Sequence, residues 1–302
     1  TRDLLGKMQD CYPLDLYQCA DCGHVQLVDV VNPKVLFSNY TYFSGRTGLV
    51  KHFAEYSENI IKKNNLDKHS FVVDIGSNDG AFLRFFKERG IKVLGVDLAE
   101  NIVEFANASG IKTILKMFNE ETAAEILKEH GSANVVTANN VFAHVDDLIS
   151  VARGVKKLLA EDGVFSFEVS YLVDVVDYML LGAIFHEHLC YHTIKPLVSF
   201  LTKEGLELID VERVPIQGGS IICTAQHAGG KRSVSPSVHE LIELEESKGV
   251  YKPEYLESFA KRLEKIRYDA TNLLKELDVN SKNIAAFGAA RGGTLLTYLF
   301  EI

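Results

Sequence analysis

The sequence predicts an α/β fold in which helices cover both faces of a largely parallel, doubly wound sheet. Short β-branched runs alternate with longer helical patterns through the middle of the chain, which indicates parallel strand–helix–strand units. A glycine-containing turn, 74–80, follows the first of these runs, and an acidic residue, Asp97, ends the second. Ligands of such sheets bind at the carboxyl ends of the strands, so we expect the functional site there.

The turn at 74–80 reads Asp-Ile-Gly-Ser-Asn-Asp-Gly and has the composition of a ligand-binding loop. Gly76 and Gly80 let the backbone approach a ligand because they carry no Cβ. The helix that opens at Ala81 presents N–H groups that favour an anion, and the carboxylate of Asp97 suits a ribose diol. The spacing D-x-G-x-x-x-G differs from the dinucleotide form G-x-G-x-x-G. A purely structural role stays open, since any βαβ unit can carry glycine in its first turn.

The other elements follow from hydrophobic periodicity and from turn residues. We predict strands at 71–73, 93–96, 113–115, 134–138, 163–169, 206–213, 220–226 and 283–287. We predict helices that start at residue 81 and after residue 293, and helices at 100–109, 120–130, 145–159, 238–248 and 253–277. A linker at 231–236 precedes the last part, and the expected divisions of the chain are 1–38, 39–230 and 231–302.

The composition limits the classes of function. The 302 residues carry a net charge of −9, with 47% hydrophobic and 24% charged residues, which suits two or three domains with a full core. The acidic balance argues against a general binder of nucleic acid or of anionic membranes. No apolar run reaches the roughly 18 residues of a membrane span, and we expect no signal peptide. We therefore expect a cytoplasmic monomer or weak homodimer, and both ends read as cuts in a longer chain.

The cysteines fit a reducing compartment better than a disulfide framework. Cys19 and Cys22 form C-x-x-C with Gly23 behind them, and Cys11 lies nearby. A structural zinc ion needs four ligands, and the sequence has no second C-x-x-C. The pair is therefore half of a zinc site whose other half precedes Thr1, or two ordinary thiols. Two further cysteines, at 190 and 223, lie in apolar contexts and are expected in the core.

The segment Phe185-His186-Glu187-His188, followed by His192, carries the most reactive side chains outside the glycine turn. It is not the zinc-protease motif H-E-x-x-H, because a cysteine occupies the second histidine position. Three interpretations stay open: a metal site with His188 and His192 one helical turn apart, a polar helix cap, and a general base. Histidine titrates near neutral pH, and a carboxylate beside it can orient the ring. The position after the fifth strand of the sheet favours the base.

A second glycine-rich turn, Gly288-Ala-Ala-Arg-Gly-Gly293, follows the last predicted strand. It can be interpreted as a degenerate dinucleotide fingerprint. A helix N-terminus with Arg291 in its loop equally suits the pyrophosphate of another ligand.

Taken together, these motifs resemble those of the sugar C-methyltransferases that act on nucleotide-linked 4-keto-deoxysugars. The resemblance covers nearly all of the chain. It rests on the cysteine turn, the tyrosine-rich Asn39-Tyr-Thr-Tyr-Phe-Ser44, the glycine turn and Asn139-Asn-Val-Phe-Ala-His-Val145. It also rests on His186-Glu-His188 with Tyr191, on Pro215-Ile-Gln-Gly-Gly-Ser220 and on Gly288-Ala-Ala-Arg-Gly-Gly-Thr-Leu-Leu296.

The resemblance implies a class I methyltransferase sheet, Rossmann-like, between a partial N-terminal zinc-binding segment and a partial C-terminal Rossmann-like domain that binds substrate. It implies S-adenosylmethionine as the cofactor, with contacts from Tyr42, Asp74, Gly76, Ser77, Asn78, Gly80, Asp97, Leu98, Phe118, Asn119, Asn140 and His144. It implies a nucleotide-diphosphate sugar as the partner, with contacts from Tyr40, Gly219, Ser220 and Arg291. Structural zinc is implied on Cys19 and Cys22, at a site that is incomplete in this chain.

The implied reaction begins with His188, which removes the C3 proton beside the sugar ketone, and the enolate then attacks the sulfonium methyl. Glu187 holds the imidazole. Phe185 replaces the tyrosine of the family pattern, so His186 or Tyr191 is the expected substitute for the missing phenol. Gln217 stands for the usual histidine, and Arg291 lies near the usual lysine.

Two rival functions follow from the same sequence. One is a degenerate methyltransferase fold that binds nucleotide sugar or S-adenosylmethionine without turnover. The other is an oxidoreductase that binds NAD through the second glycine-rich turn.

Overall fold

A seven-stranded sheet forms the centre of the computed structural model, which describes residues 10–37, 40–279, 283–285 and 291–301. The strand order is β5-β4-β3-β6-β7-β10-β9. All neighbours are parallel except β10, which runs antiparallel to both β7 and β9. The predicted α/β class is therefore confirmed. The strands are β3 Phe71–Ile75, β4 Lys92–Asp97, β5 Thr113–Leu115, β6 Ala133–Asn139, β7 Leu159–Ser170, β9 Leu206–Val214 and β10 Ser220–His227.

The order of strands reverses between β3 and β6. The chain steps from β3 to β4 and β5 on one side, then returns to place β6 on the other side of β3. Such a switch point opens a crevice at the carboxyl ends of the two strands, where open α/β sheets bind ligands.

Eleven α-helices and three short 3₁₀ helices are seen in the described part of the chain. The α-helices are α1 Pro33–Phe37, α2 Val50–Lys63, α3 Ala81–Lys87, α4 Glu100–Ala108, α5 Glu120–His130, α6 Leu148–Leu158, α7 Leu172–Asp177, α8 Ile194–Lys203, α9 Pro236–Ser247, α10 Pro253–Val279 and α11 Arg291–Phe300. Local capping explains two starts: the Asn119 side chain accepts a hydrogen bond from Thr122 N, and Asp147 accepts one from Ser150 N.

Most predicted elements lie within two residues of the observed ones, and the larger differences occur in three places. Helix α6 begins three residues later than expected because Asp147 caps it. Strand β7 extends over twelve residues, since its early part also pairs with β6. Of the strand predicted at 283–287, residues 283–285 are neither strand nor helix, and the rest lies outside the described residues. The second glycine-rich turn is described only from residue 291, where α11 already begins.

The core lies on both faces of the sheet. Strand β3 is buried at every position, as expected for a parallel strand that helices cover on two sides. One face packs Phe142, Phe165 and Phe167 together, and the other packs the aromatic rings of α2 against those of α3. No helix among the described residues is long and apolar enough to cross a membrane.

A small antiparallel sheet joins the N-terminal segment to the segment that follows β7. Its strands are β1 Leu16–Gln18, β2 Val25–Leu27 and β8 Cys190–Tyr191, with β2 in the middle. The loop between β1 and β2 is closed by two backbone hydrogen bonds, from Cys19 N to His24 O and from Gly23 N to Cys19 O. Gly23 has a φ of +77°, a conformation that residues with a Cβ rarely adopt.

Helix α9 is tied to the core through a buried carboxylate, Glu245. Its oxygens accept hydrogen bonds from the Tyr171 hydroxyl at 2.9 Å, Ile194 N at 2.7 Å and Lys195 N at 3.3 Å, and also from the Tyr251 hydroxyl. Burial raises the pKa of Glu245. The bonds from Ile194 and Lys195 satisfy the otherwise unpaired N–H groups at the start of α8.

We predict that Glu245→Ala lowers the free energy of unfolding by about 3 kcal/mol, because several buried donors lose a charged acceptor. Urea denaturation monitored by circular dichroism measures the change. The control is Glu246→Ala, which removes an exposed ion pair with Lys195 and should cost less than about 1 kcal/mol. Equal losses in the two variants would contradict the structural role of Glu245.

Candidate active site

A cavity of about 670 Å³ lies at the switch point of the sheet, within the usual size range of small-ligand sites. The ends of four strands contribute to its wall: Ile75 from β3, Asp97 from β4, Asn139 from β6 and Ser170 from β7. Another part of the wall comes from the segment before β8, through Leu180, Gly182, Ala183, Phe185, Glu187 and His188. One cavity therefore joins the glycine turn and the histidine segment.

Asp97 is held in place by backbone N–H groups. Its Oδ2 accepts from Asn78 N and its Oδ1 from Ala99 N, each at 2.9 Å. Burial raises the pKa of Asp97, while these hydrogen bonds oppose the shift. The carboxylate thus lies at the end of β4, at the wall of the cavity and in a fixed orientation, as a ribose diol requires.

Gly76 occupies a position where no other residue fits. Its φ is +63°, and a Cβ would lie 2.3 Å from Cγ2 of Val141. The backbone N–H of Gly76 donates to Val96 O at 2.7 Å, which fixes the glycine turn against β4. The backbone can therefore line the cavity directly.

The structure brings most of the predicted cofactor residues to the cavity. Those that line it are Tyr42, Gly76, Asn78, Asp97, Leu98, Phe118, Asn119, Asn140 and His144. Asp74, Ser77 and Gly80 do not line it. Asp74 is buried and accepts from the Thr137 hydroxyl at 2.6 Å, and burial raises its pKa to about 7. A Cβ on Gly80 would lie 2.8 Å from the Ile111 side chain, so this glycine permits helix packing.

His188 is oriented by a backbone carbonyl. Its Nδ1 lies 2.7 Å from Ala183 O, and because a carbonyl only accepts, Nδ1 carries the proton. In the neutral ring the lone pair then lies on Nε2. The ring lies between Phe185 and His144, with centroid distances of 4.2 and 4.9 Å. This is the tautomer that a general base acting through Nε2 needs.

Glu187 also lines the cavity, and the Tyr40 hydroxyl donates to its Oε2 at 3.3 Å. The resemblance implied that Glu187 holds the imidazole of His188, whereas the hydrogen bond of Nδ1 goes to Ala183 O. The carbonyl of Tyr40 accepts from Asn101 Nδ2 at 2.8 Å. Tyr40, predicted to contact substrate, therefore links α4 on the cofactor side to the histidine segment.

His186 and Tyr191 do not line the cavity. The Nε2 of His186 donates to the carbonyls of Tyr12 and Pro13, at 3.2 and 3.1 Å. Tyr191 is buried in β8, and burial raises the pKa of its phenol. Neither side chain reaches into the cavity, so neither takes the place of the tyrosine hydroxyl that is missing at Phe185.

The structure contradicts the metal interpretation of the histidine segment, whereas the helix-cap interpretation holds for His188, whose Nδ1 donates to the last carbonyl of a short 3₁₀ helix, Leu181–Ala183. His188 and His192 are not one helical turn apart, because residues 190–191 form a strand between them. His192 is buried against Phe142, and burial lowers its pKa to about 3. Among the described residues, no three potential ligands are grouped closely enough to hold a metal ion. The next helix, α8, starts only at Ile194.

The predicted substrate residues are divided. Tyr40 lines the cavity, whereas Gly219 and Ser220 do not. A Cβ on Gly219 would lie 2.4 Å from the Asp174 side chain, so glycine is needed for this packing. The Ser220 hydroxyl donates to Ile216 O at 3.1 Å. Gln217, at a φ of +52°, lines the cavity beside them. The side chain of Arg291 lies outside the described residues.

Sequence reasoning missed three contributors to the cavity. Asn139 was named only as the first residue of the motif 139–145, yet it lines the cavity with both side-chain amide atoms buried and unpartnered among the described residues. Its place at the end of β6 was the available signal. Lys116 lies after β5 and also lines the wall. The carbonyl of Ala183 had no sequence signal, because backbone atoms are common to all residues.

The cysteine turn fits half of a zinc site. The thiols of Cys19 and Cys22 interact with each other, and hydrogen bonds from the N–H groups of Cys22 and Asp21 lower the pKa of Cys19. Such bonds favour the thiolate that zinc requires. Two sulfurs supply two of the four ligands of a structural site.

The parallel sheet, the glycine turn and the carboxylate at the end of β4 define a class I S-adenosylmethionine-dependent methyltransferase. Family models agree: a methyltransferase domain matches residues 50–211, a C-methyltransferase C-terminal domain matches 215–302 and a zinc binding domain matches 1–37. The chain is 34% identical over 300 residues to C-methyltransferase NovU of Streptomyces niveus, covering 97% of this chain and 71% of that protein. The chain belongs to this family of C-methyltransferases.

Two other similarities cover part of the chain. A ubiquinone biosynthesis O-methyltransferase of Ralstonia nicotianae is 30% identical over 162 residues, which cover 49% of this chain and 68% of that protein. A solved S-adenosylmethionine-dependent methyltransferase from Anabaena variabilis is 14% identical, covers 65% of this chain and 91% of its own, and has a TM-score of 0.49.

We predict that Asp97→Ala weakens S-adenosylmethionine binding by one to two orders of magnitude, since a charged hydrogen bond contributes about 1.5–3 kcal/mol. Isothermal calorimetry measures the dissociation constant. Glu100→Ala, a change on the exposed start of α4, is the matched control and should leave the constant unchanged. An Asp97→Ala protein that binds as tightly as the wild type would place the ribose elsewhere.

Proposed function

We propose that the protein moves a methyl group from S-adenosylmethionine to a carbon beside the ketone of a nucleotide-diphospho-4-keto-deoxysugar, at C3. The observation that carries the proposal is the orientation of His188, whose Nδ1 is bonded to Ala183 O. Its Nε2 bears the lone pair within a side chain that lines the same cavity as Gly76 and Asp97. Methyl donor and base therefore meet in one space.

The chemistry requires an activated carbon. A neutral imidazole is a weak base, so it removes a proton from carbon only where an adjacent carbonyl takes up the electron pair. Nε2 of His188 takes the C3 proton, and the electrons of that bond form an enolate. The enolate carbon then bonds to the sulfonium methyl, the sulfur–carbon bond breaks, and its electrons stay on sulfur. His188 afterwards loses its proton to solvent.

The residues around His188 stabilise the enolate oxygen. Electrostatic stabilisation of such an oxygen is usually the largest contribution of a protein to this kind of step. Phe185 offers no donor, and His186 and Tyr191 lie off the cavity. His144, which lines the cavity beside His188, is the group we propose for this role.

The charge of the cavity wall indicates where the sugar and the diphosphate of the substrate bind. Its described wall contains Asp97, Asp146, Asp147 and Glu187, against a single lysine, Lys116. A diphosphate is poorly suited to so acidic a wall, so we place it at the rim. There Gly182 lines the cavity and approaches Gly292 in the first turn of α11, whose N–H groups suit phosphate oxygens. Arg291 belongs to the same turn.

Zinc enters the proposal only as structure. Cys19 and Cys22 are proposed as two of its ligands, because they form one C-x-x-C turn and the match to a zinc binding domain covers them. Bound zinc would close the cysteine turn and would not contact either substrate.

We predict that His188→Ala lowers turnover by about 10²- to 10⁴-fold, the usual contribution of a general base, while S-adenosylmethionine affinity stays within about twofold. Exchange of the sugar C3 proton with deuterated solvent, measured by NMR without methyl donor, should slow by a similar factor.

His69→Ala, a change in an exposed turn before β3, serves as the control and should leave both rates intact. Full turnover in His188→Ala, with loss in Tyr191→Phe, would show that the base is misassigned. Cofactor binding by the wild type without turnover of any 4-keto nucleotide sugar would favour a pure binding protein.

A further inference from the structure

The segment that carries the proposed base, residues 185–192, is held from two sides. We call it the base-bearing segment. On one side Leu189 N and Cys190 N both donate to Ala143 O, at 2.9 and 3.0 Å. On the other side β2 pairs with β8, and Leu27 N donates to Leu189 O at 2.9 Å. All of the hydrogen bonds on this second side come from the N-terminal hairpin, residues 16–27.

Side chains reinforce the contact with the N-terminal part. The Nε2 of His186 donates to two carbonyls, those of Tyr12 and Pro13, just before the hairpin. The rings of His24 and His192 lie 5.6 Å apart between centroids. His186 is thus the neighbour of Glu187 and His188, yet its side chain points to the opposite side, toward the N-terminal residues.

The hairpin itself is supported from behind by the C-terminal part. A Cβ on Gly23 would lie 2.5 Å from the Tyr251 ring, so the cysteine turn packs directly on that side chain. The Gln18 amide donates to Val250 O at 2.8 Å. The Tyr251 hydroxyl also donates a hydrogen bond to the buried Glu245. The hairpin is therefore connected to the core through Tyr251 and to the base-bearing segment through β8.

We propose that the N-terminal hairpin, closed by the Cys19–Cys22 turn, positions the base-bearing segment for catalysis, and that His186 is the positioning residue that joins them. The proposal rests on the proposed function only in taking His188 as the base. It gives the zinc-type turn a task in the methyl transfer without contact with either substrate.

The physical reason is the narrow tolerance of proton transfer. A base must lie within about 3.2 Å of its proton-bearing atom, and a displacement of about 1 Å can cost about 10²-fold in rate. The glycine turn and Asp97 do not depend on the hairpin for their position, because Gly76 N donates a hydrogen bond to Val96 O within the large sheet. Loosening the hairpin should therefore reduce turnover and leave cofactor affinity intact.

The first test measures amide hydrogen exchange by mass spectrometry in the wild type and in Cys19→Ser/Cys22→Ser. We expect exchange in peptides covering 185–192 to accelerate by at least about tenfold in the double variant, with unchanged exchange in peptides covering 71–80 and 93–97. Zinc content by elemental analysis accompanies each sample. Unchanged protection of 185–192 in a variant that has lost its zinc would overturn the proposal.

The second test uses turnover and does not depend on the cysteines. We expect His186→Ala to lower kcat by about tenfold with unchanged S-adenosylmethionine affinity. His186→Gln, whose amide can donate in place of Nε2, should restore kcat to within about threefold of the wild type. His69→Ala is again the control. Equal losses in the alanine and glutamine variants, or no loss in either, would contradict the positioning role.

The two proposals fail in different ways. Full turnover in His188→Ala would remove the base but leave the exchange result of the cysteine variant interpretable. The converse result combines two variants: His188→Ala loses turnover, and Cys19→Ser/Cys22→Ser shows unchanged exchange at 185–192. That result would keep His188 as the base and overturn the role of the hairpin.

Discussion

The parallel pairing of β3 with β4 on one side and with β6 on the other is the constraint on which the site depends. The register sets Val73 beside both Leu94 and Val136, so the three strands end together. Gly76, Asp97 and Asn139 therefore meet at the switch point without any further organisation. Each strand is buried, and the hydrophobic effect that forms the sheet also fixes one wall of the cavity.

The second wall has a different origin. Residues after β7 leave the large sheet, form a turn with His188 and Glu187, and enter the small sheet through β8. The position of the proposed base therefore depends on Ala143, on the N-terminal hairpin and, through Tyr251 and Glu245, on α9. Residues of all three matched family regions line the one cavity. The three regions can therefore contribute to the same site.

Local signals explain what could be predicted from the sequence. Strand β5 and helix α5 have the predicted bounds because β-branched runs and the Asn119 cap are local features, and the cofactor wall followed from strand ends. The direction of His186 was beyond such reasoning, since its partners lie more than 170 positions away. A two-residue strand such as β8 carries no periodicity, and a backbone carbonyl such as that of Ala183 carries no sequence signal at all.

Transfer of a deuterated methyl group tests the central claim most directly. The wild-type protein is incubated with S-adenosylmethionine labelled on its methyl and with a panel of 4-keto nucleotide sugars, and products are analysed by mass spectrometry and NMR. We expect one labelled methyl on the carbon beside the ketone and the loss of that carbon's proton. A label on oxygen or nitrogen, or on a carbon not adjacent to the ketone, would contradict a cavity that unites cofactor and base for enolate chemistry.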